Sequence, residues 1–284
     1  MAVQNSLIRN SNQRLGITAY LTQDAVKNQI NNVIGGKDGQ RFISAIVSAV
    51  NNNSMLQECT NQSILSGALL GESLKLSPSP QLGQYYLVPF NDREKGKVAQ
   101  FQLGYKGYIQ LAIRSGQYKK LNVVAIKEGE LIRFDALNEE IEVKLIEDEE
   151  AREQAETVGY YAMFEYTNGF KKAIYWSKKK MEAHALKYSQ SYKRDKDKGT
   201  KYTFWSKDFD AMAYKTMLRQ LISKWGIMSI ELQSAIDADM AVINEDGTKN
   251  YVDTYTEDDV IDMQPETIAE PQPAQQDAAS ILFS

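Results

Sequence analysis

Three sets of side chains have the types and spacing for chemistry. Asp135 followed by Glu142-Val-Lys144 resembles an acid ahead of an E-x-K strand. In that arrangement two carboxylates hold Mg²⁺ while a lysine steadies the attacking water. The competing reading is plain: Ile141, Val143 and Leu145 alternate with Glu140, Glu142 and Lys144, as on a strand with one solvated face. Cys59 and His184 are the only cysteine and histidine. A zinc site built from Cys and His therefore lacks ligands, and an intrachain disulfide is impossible. A Ser–His or Cys–His nucleophile would have to recruit His184, which sits in Met181-Glu-Ala-His-Ala-Leu186 and reads as an ordinary helical histidine. The third set is cationic. In Phe101–Gly116, Lys106, Gln110 and Arg114 recur at i, i+4 and i+8, so a helix there carries one polar stripe flanked by Tyr105 and Tyr108. A phosphate backbone with stackable bases needs that combination, and an ordinary amphipathic helix also has it.

Phosphate cradles are missing from the sequence. No G-x-x-x-x-G-K-[ST] occurs, since Gly36-Lys37 is followed by Asp38 and Gly96-Lys97 by Val98; no G-x-G-x-x-G occurs either. Motor and dehydrogenase readings lose their main support, and no cofactor is expected. No apolar run approaches the length of a membrane span, and the first residues lack the pattern of a signal peptide. With a single cysteine, the chain is expected in a reducing cytoplasm.

The net charge of −4 averages two unlike parts. From Ile236 onward twelve acids face the single Lys249, which leaves 32 cations and 25 anions in residues 1–235. Within Lys171–Lys224 there are fifteen Lys and Arg against five Asp and Glu. Lys193, Arg194, Lys196, Lys198, Lys201 and Tyr202 interleave cations with aromatics in an expected loop over 191–203. Trp205 follows. In the next helix Phe209, Met212, Ala213, Met217 and Leu221 form an apolar stripe, with Lys207, Lys215 and Arg219 on the other side. This is the composition of a surface that grips phosphates and stacks bases, or of a solvated charge run.

The elements that must position these residues are legible in outline. Helical periodicity falls at about 22–34, 39–51, 61–74, 178–190, 205–225 and 230–241. Strand patterns fall at 85–90, 98–103, 121–127, 130–135, 140–146, 158–167 and 170–176, with an acidic loop at 147–156. The expected fold is α+β: a small antiparallel sheet flanked by helices that form a basic groove. Residues 1–20 read as a flexible arm and 21–235 as one domain. Residues 236–284, poor in core residues until Ile281-Leu-Phe283, read as a largely disordered acidic tail.

Several segments resemble the RecT family of phage single-strand DNA-annealing proteins. They are Tyr85-Tyr86 with Val88-Pro-Phe90, Gly104-Tyr-Lys-Gly107 with Arg114-Ser-Gly116, and Trp205 with Asp208-Phe209, Met212 and Lys215-Thr216-x-x-Arg219. They occur in the family's order over roughly residues 65–225; one departure is Ser73, where a glycine is expected. The resemblance implies a recombinase that anneals complementary single strands without ATP or covalent chemistry. It also implies single-stranded DNA and an annealed duplex as ligands and a homo-oligomeric ring or filament. The acidic tail reads as a solubilising end, a screen for the basic groove, or a dock through Ile281-Leu-Phe283 for a host single-strand-binding protein or a partner exonuclease. A passive single-strand-binding protein is the alternative. On this reading Lys106 and Arg114 line one side of the groove, and Lys215, Thr216 and Arg219 the other. Lys193, Arg194, Lys196, Lys198 and Lys201 clamp the second strand or product. Tyr202 is a stacking candidate, Trp205 reads equally as a stacking residue or a core anchor, and Tyr105 either stacks or packs on the sheet. Lys207 is a further phosphate contact, and Gly104 and Gly107 permit close backbone approach or tight turns.

Overall fold

The structure, a computed structural model, describes residues 15–92 and 95–251. Most of the expected N-terminal arm lies outside the described residues. So do residues 252–284, including Ile281-Leu-Phe283.

Helices open the chain: α1 (Ile17–Leu21), α2 (Asp24–Ile34), α3 (Gly36–Asn51) and α4 (Asn61–Ser73). The helix expected over 22–34 is α2; the additional α1 lies ahead of it, almost entirely within the expected arm, and buries Ile17 and Leu21. Thr60 caps α4, its hydroxyl accepting from the Ser63 N–H. A hairpin follows, β1 (Tyr85–Asp92) and β2 (Gly96–Leu103), paired antiparallel with Tyr85 opposite Leu103. Then come α5 (Tyr105–Arg114), β3 (Tyr118–Lys127) and the short hairpin β4 (Leu131–Asp135) and β5 (Glu140–Val143). The acidic stretch expected as loop contains α6 (Glu149–Gln154), capped by Asp148. Strands β6 (Thr157–Tyr166) and β7 (Lys171–Ser177) lead into α7 (Lys178–Tyr188), α8 (Gln190–Lys198), α9 (Phe204–Lys207) and α10 (Phe209–Trp225). Helix α11 (Ile230–Ala238) and strands β8 (Ala241–Ile243) and β9 (Lys249–Tyr251) close the described fold.

The class is α+β with antiparallel sheets flanked by helices, but the strands divide. Sheet order is β1-β2-β8-β9 in one, β3-β6-β7 in a second and β4-β5 in a third. One hydrophobic core joins α1–α5, the first sheet and α11; the other joins β3, β6, α7, α8 and α9. Helix α10 serves both. Leu218 and Ile222 enter the first core, while Ala213, Met217 and Leu221 enter the second. That two-sided burial explains why so little of α10 faces solvent.

The tail boundary drawn from charge at residue 236 falls inside this fold. Ala241, Val242 and Ile243 are buried, and Phe101 pairs with Ala241. Net charge could not locate the boundary, because a buried acid contributes the same formal charge as a solvated one.

Candidate nucleic-acid interface

The N-terminal end of α5 is set by two backbone approaches. The Gly104 N–H donates to the Gln84 carbonyl at 2.9 Å. A Cβ on Gly104 would lie 2.1 Å from the Gly83 carbonyl oxygen, and one on Gly107 would lie 2.1 Å from that of Gln84. Only glycine fits at either position, so the Gly104-Tyr-Lys-Gly107 motif seats α5 on the loop before β1. Lys106 is exposed beside it. Its Cδ would be 3.4 Å from a Cβ on Gly83, and its ammonium lies 6.0 Å from the Tyr105 ring centre.

Tyr86 of β1 joins this end of α5 to α9, its ring 5.4 Å from Phe204. Burial raises the Tyr86 phenol, and the nearby Tyr105 and Asp208 add to the shift. Tyr105 is half-buried and meets Tyr214 of α10 edge-on at 5.7 Å. Phe204 is 40% and Tyr202 79% exposed, and Lys207 is exposed as well. Residues distant in sequence thus meet through the Tyr86–Phe204 and Tyr105–Tyr214 contacts, with Lys106 exposed beside Tyr105 and Lys207 exposed at the end of α9.

The segment expected as a loop over 191–203 is helical through Lys198, and Gly199 ends it at φ +65, in the left-handed region. Lys193, Arg194, Lys198 and Lys201 are exposed, and none enters an ion pair among the described residues. Lys196 pairs with Glu182 of α7 at 2.8 Å, and this contact raises the ammonium above its ordinary value. Asp195 organises the turn that follows. Its carboxylate accepts from the Thr200 hydroxyl at 2.6 Å, the Tyr202 and Thr203 N–H groups at 3.0 and 2.8 Å, and the Thr203 and Ser206 hydroxyls at 2.8 and 2.7 Å. Burial would raise this carboxyl, but those donors outweigh it and hold the group well below the usual range. Asp195 therefore presents Lys201, Tyr202 and Phe204. In the sequence it stands as one acid within a charge run; the hydroxyls at Thr200, Thr203 and Ser206 were the only cue.

Other expected site residues lie elsewhere. Trp205 is 7% exposed and packs on Tyr192 and Phe209, so it anchors the second core and does not offer a stacking face. Thr216 is buried, its hydroxyl donating to the Met212 carbonyl at 2.9 Å. Lys215 is 5% exposed, and its ammonium donates to Asp239 Oδ1 at 2.8 Å. Arg219 donates to Asp239 Oδ2 at 2.6 Å. Asp239 also accepts from the Leu103 N–H at 2.9 Å and the Tyr108 hydroxyl at 3.3 Å. Burial would raise the Asp239 carboxyl, but Lys215 and Arg219 hold it below the ordinary range, while burial lowers the Lys215 ammonium. The pair expected at phosphates thus ties α10 to β2, α5 and the segment after α11. In the sequence Asp239 is one of many acids toward the tail; its place between Ala238 and the apolar Ala241-Val-Ile243 was the available signal. Arg114 is exposed at the far end of α5 and donates to the Leu74 carbonyl at 2.5 Å, away from the aromatic surface.

The metal constellation does not assemble. Asp135 Oδ1 accepts from the Leu137 N–H at 2.9 Å and closes the β4–β5 turn, and Glu142 stands opposite Arg133. Among the described residues no group of three or more His, Cys, Asp or Glu could hold a metal ion. None of the described helices is long and apolar enough to cross a membrane.

The fold is of the α+β class, with small antiparallel sheets flanked by helices. Residues 40–257 match the RecT family, and the chain belongs to that family. It is 42% identical to the uncharacterized protein YqaK of Bacillus subtilis (strain 168) over 258 residues, 89% of this chain and 82% of that one. It is 28% identical to protein RecT of Escherichia coli (strain K12) over 227 residues, 78% of this chain and 80% of the relative. Membership carries a general role in recombination or single-strand annealing, with single-stranded DNA as the ligand.

Proposed function

We propose that this protein binds single-stranded DNA on the α5–α9 surface and anneals complementary strands without ATP or a cofactor. The observation that carries the proposal is the apposition of Tyr86, Tyr105 and Lys106 with Phe204 and Lys207 through the Tyr86–Phe204 contact. Annealing is downhill, with stacking near ~1.4 kcal/mol per step, so no fuel is required. Its obstacles are repulsion between polyanions and hairpins within each strand. Exposed cations on α5, α8 and α9 reduce the repulsion, and stackable rings hold a strand extended. Contacts to phosphates leave Watson–Crick edges free, so the second strand supplies the sequence specificity. Lys193, Arg194, Lys198 and Lys201 extend the same strip along α8 and its turn. A homo-oligomer on DNA, and docking of a host single-strand-binding protein or exonuclease by the tail, complete the proposal.

The test joins two labelled complementary oligonucleotides without nucleotide and with EDTA. Acceleration over the protein-free rate is expected. Binding without acceleration means a passive binding protein, and Mg²⁺-dependent cleavage in a parallel reaction means a nuclease; either overturns the proposal. Lys201→Gln with Lys207→Gln should flatten the logarithmic salt dependence of single-strand affinity by about 1.4, or ~0.7 for each phosphate left without its cation.

A further inference from the structure

A second group of cations and aromatic rings lies where the end of β7 meets α7. Trp176, at the end of β7, meets His184 of α7 at 5.3 Å, and His184 meets Tyr188 at 4.5 Å. The Lys180 ammonium sits 4.5 Å from the Trp176 ring centre and that of Lys187 sits 4.9 Å from Tyr188. Neither lysine enters an ion pair among the described residues. Burial pushes His184 down to about 4, and Lys187, Lys180 and Arg219 contribute, so its ring is neutral at physiological pH. Burial also lowers Lys180, with Lys224 adding to the shift. Lys180 and Lys187 thus flank an edge-on and tilted run of three rings.

Helix geometry separates this face from the side of α7 that meets α8. At about 100° per residue, Lys180, His184 and Lys187 fall within roughly 60° of one another, while Glu182, which holds Lys196 of α8, points to the opposite side. Annealing needs two strands at once, and a strand saturating the α5–α9 surface would occupy its cations. We propose that Trp176, Lys180, His184, Lys187 and Tyr188 form a second polynucleotide surface that receives the backbone of the incoming single strand. The identity of the ligand rests on the function proposed above; the excess of cations over carboxylates supports the surface independently. Lys180 and Lys187 would meet phosphates, and the remaining accessible edges of the partly buried Trp176 and Tyr188 rings would meet sugars or bases.

The experiment uses the full chain preloaded with a saturating oligonucleotide. Capture of a second, labelled oligonucleotide is then measured, non-complementary in one arm and complementary in the other. Lys180→Gln with Lys187→Gln should leave first-strand affinity within about twofold while second-strand capture falls about tenfold and its salt slope flattens by about 1.4. Lys180→Arg with Lys187→Arg keeps the charge and should restore capture, with unchanged melting of both variants confirming the fold. Unchanged capture, equal loss of first-strand affinity, or a change confined to the oligomeric state would overturn the proposal; the last would make this face a contact between copies. Capture of the non-complementary strand reads this surface even if wild-type protein fails to anneal, so the two failures are distinguishable.

Discussion

Replacing Asp239 by Asn tests the role assigned to Lys215 and Arg219. The substitution preserves shape and one carbonyl acceptor for the Leu103 N–H, so the principal change is loss of the negative charge. The Lys215 side chain is 6% exposed and that of Asp239 0%, and stranding such a buried charge costs about 3–5 kcal/mol. Arg219, at 39%, keeps contact with water, so its share resembles an exposed pair at about 0–1 kcal/mol. With about 2–4 °C per kcal/mol for a fold of this size, the combined loss of about 3–6 kcal/mol should lower Tm by about 6–24 °C at fixed protein concentration. Urea unfolding followed by tryptophan fluorescence reports it, since Trp176, Trp205 and Trp225 all lie around the second core and the end of α10. Combining Asp239→Asn with Lys215→Met removes the stranded ammonium and should recover more than half of the loss. A loss below about 1 kcal/mol, or a double variant no better than the single, refutes the buried-pair account. Tighter single-strand binding by the folded single variant would return Lys215 and Arg219 to a phosphate-contacting role.

Gly107→Ala should lower Tm by several degrees and weaken single-strand affinity through the displaced α5 terminus, because its Cβ would press on the Gln84 carbonyl; a neutral melt would remove the close-approach account. Asp195 titrates below its unfolded value of about 3.9, so its stabilisation is present above that pH and is lost as pH falls through the depressed folded value. Asp195→Asn should therefore lower Tm at pH 7 and flatten the decline below about pH 4; a curve parallel to wild type on the acid side counts against this role. Truncation after Asp253 should leave the melt unchanged, whereas truncation after Asn244 removes β9 and the Tyr251 contact to Asp237, and should lower it. Equal melts would detach β9 from the stability of the fold.

Local pattern was sufficient for much of this protein. Helix periodicity, capping residues, strand alternation and the absence of phosphate loops depend on neighbours within a few positions. They placed most elements and carried the family resemblance that residues 40–257 bear out. Gly104 and Gly107 were also legible, since the reason for glycine lies in the turn itself. The fate of each cation was not. Lys207 and Lys215 share a spacing pattern, yet one is exposed and the other buried, because Asp239 returns from the far end of the chain as a counter-ion. The same holds for aromatics: Trp205 is sealed by Tyr192 and Phe209, while Tyr202, three residues earlier, stands in solvent. Burial and charge compensation depend on contacts between residues distant in sequence, so only the tertiary structure decided which cations are exposed and which are buried with a counter-ion.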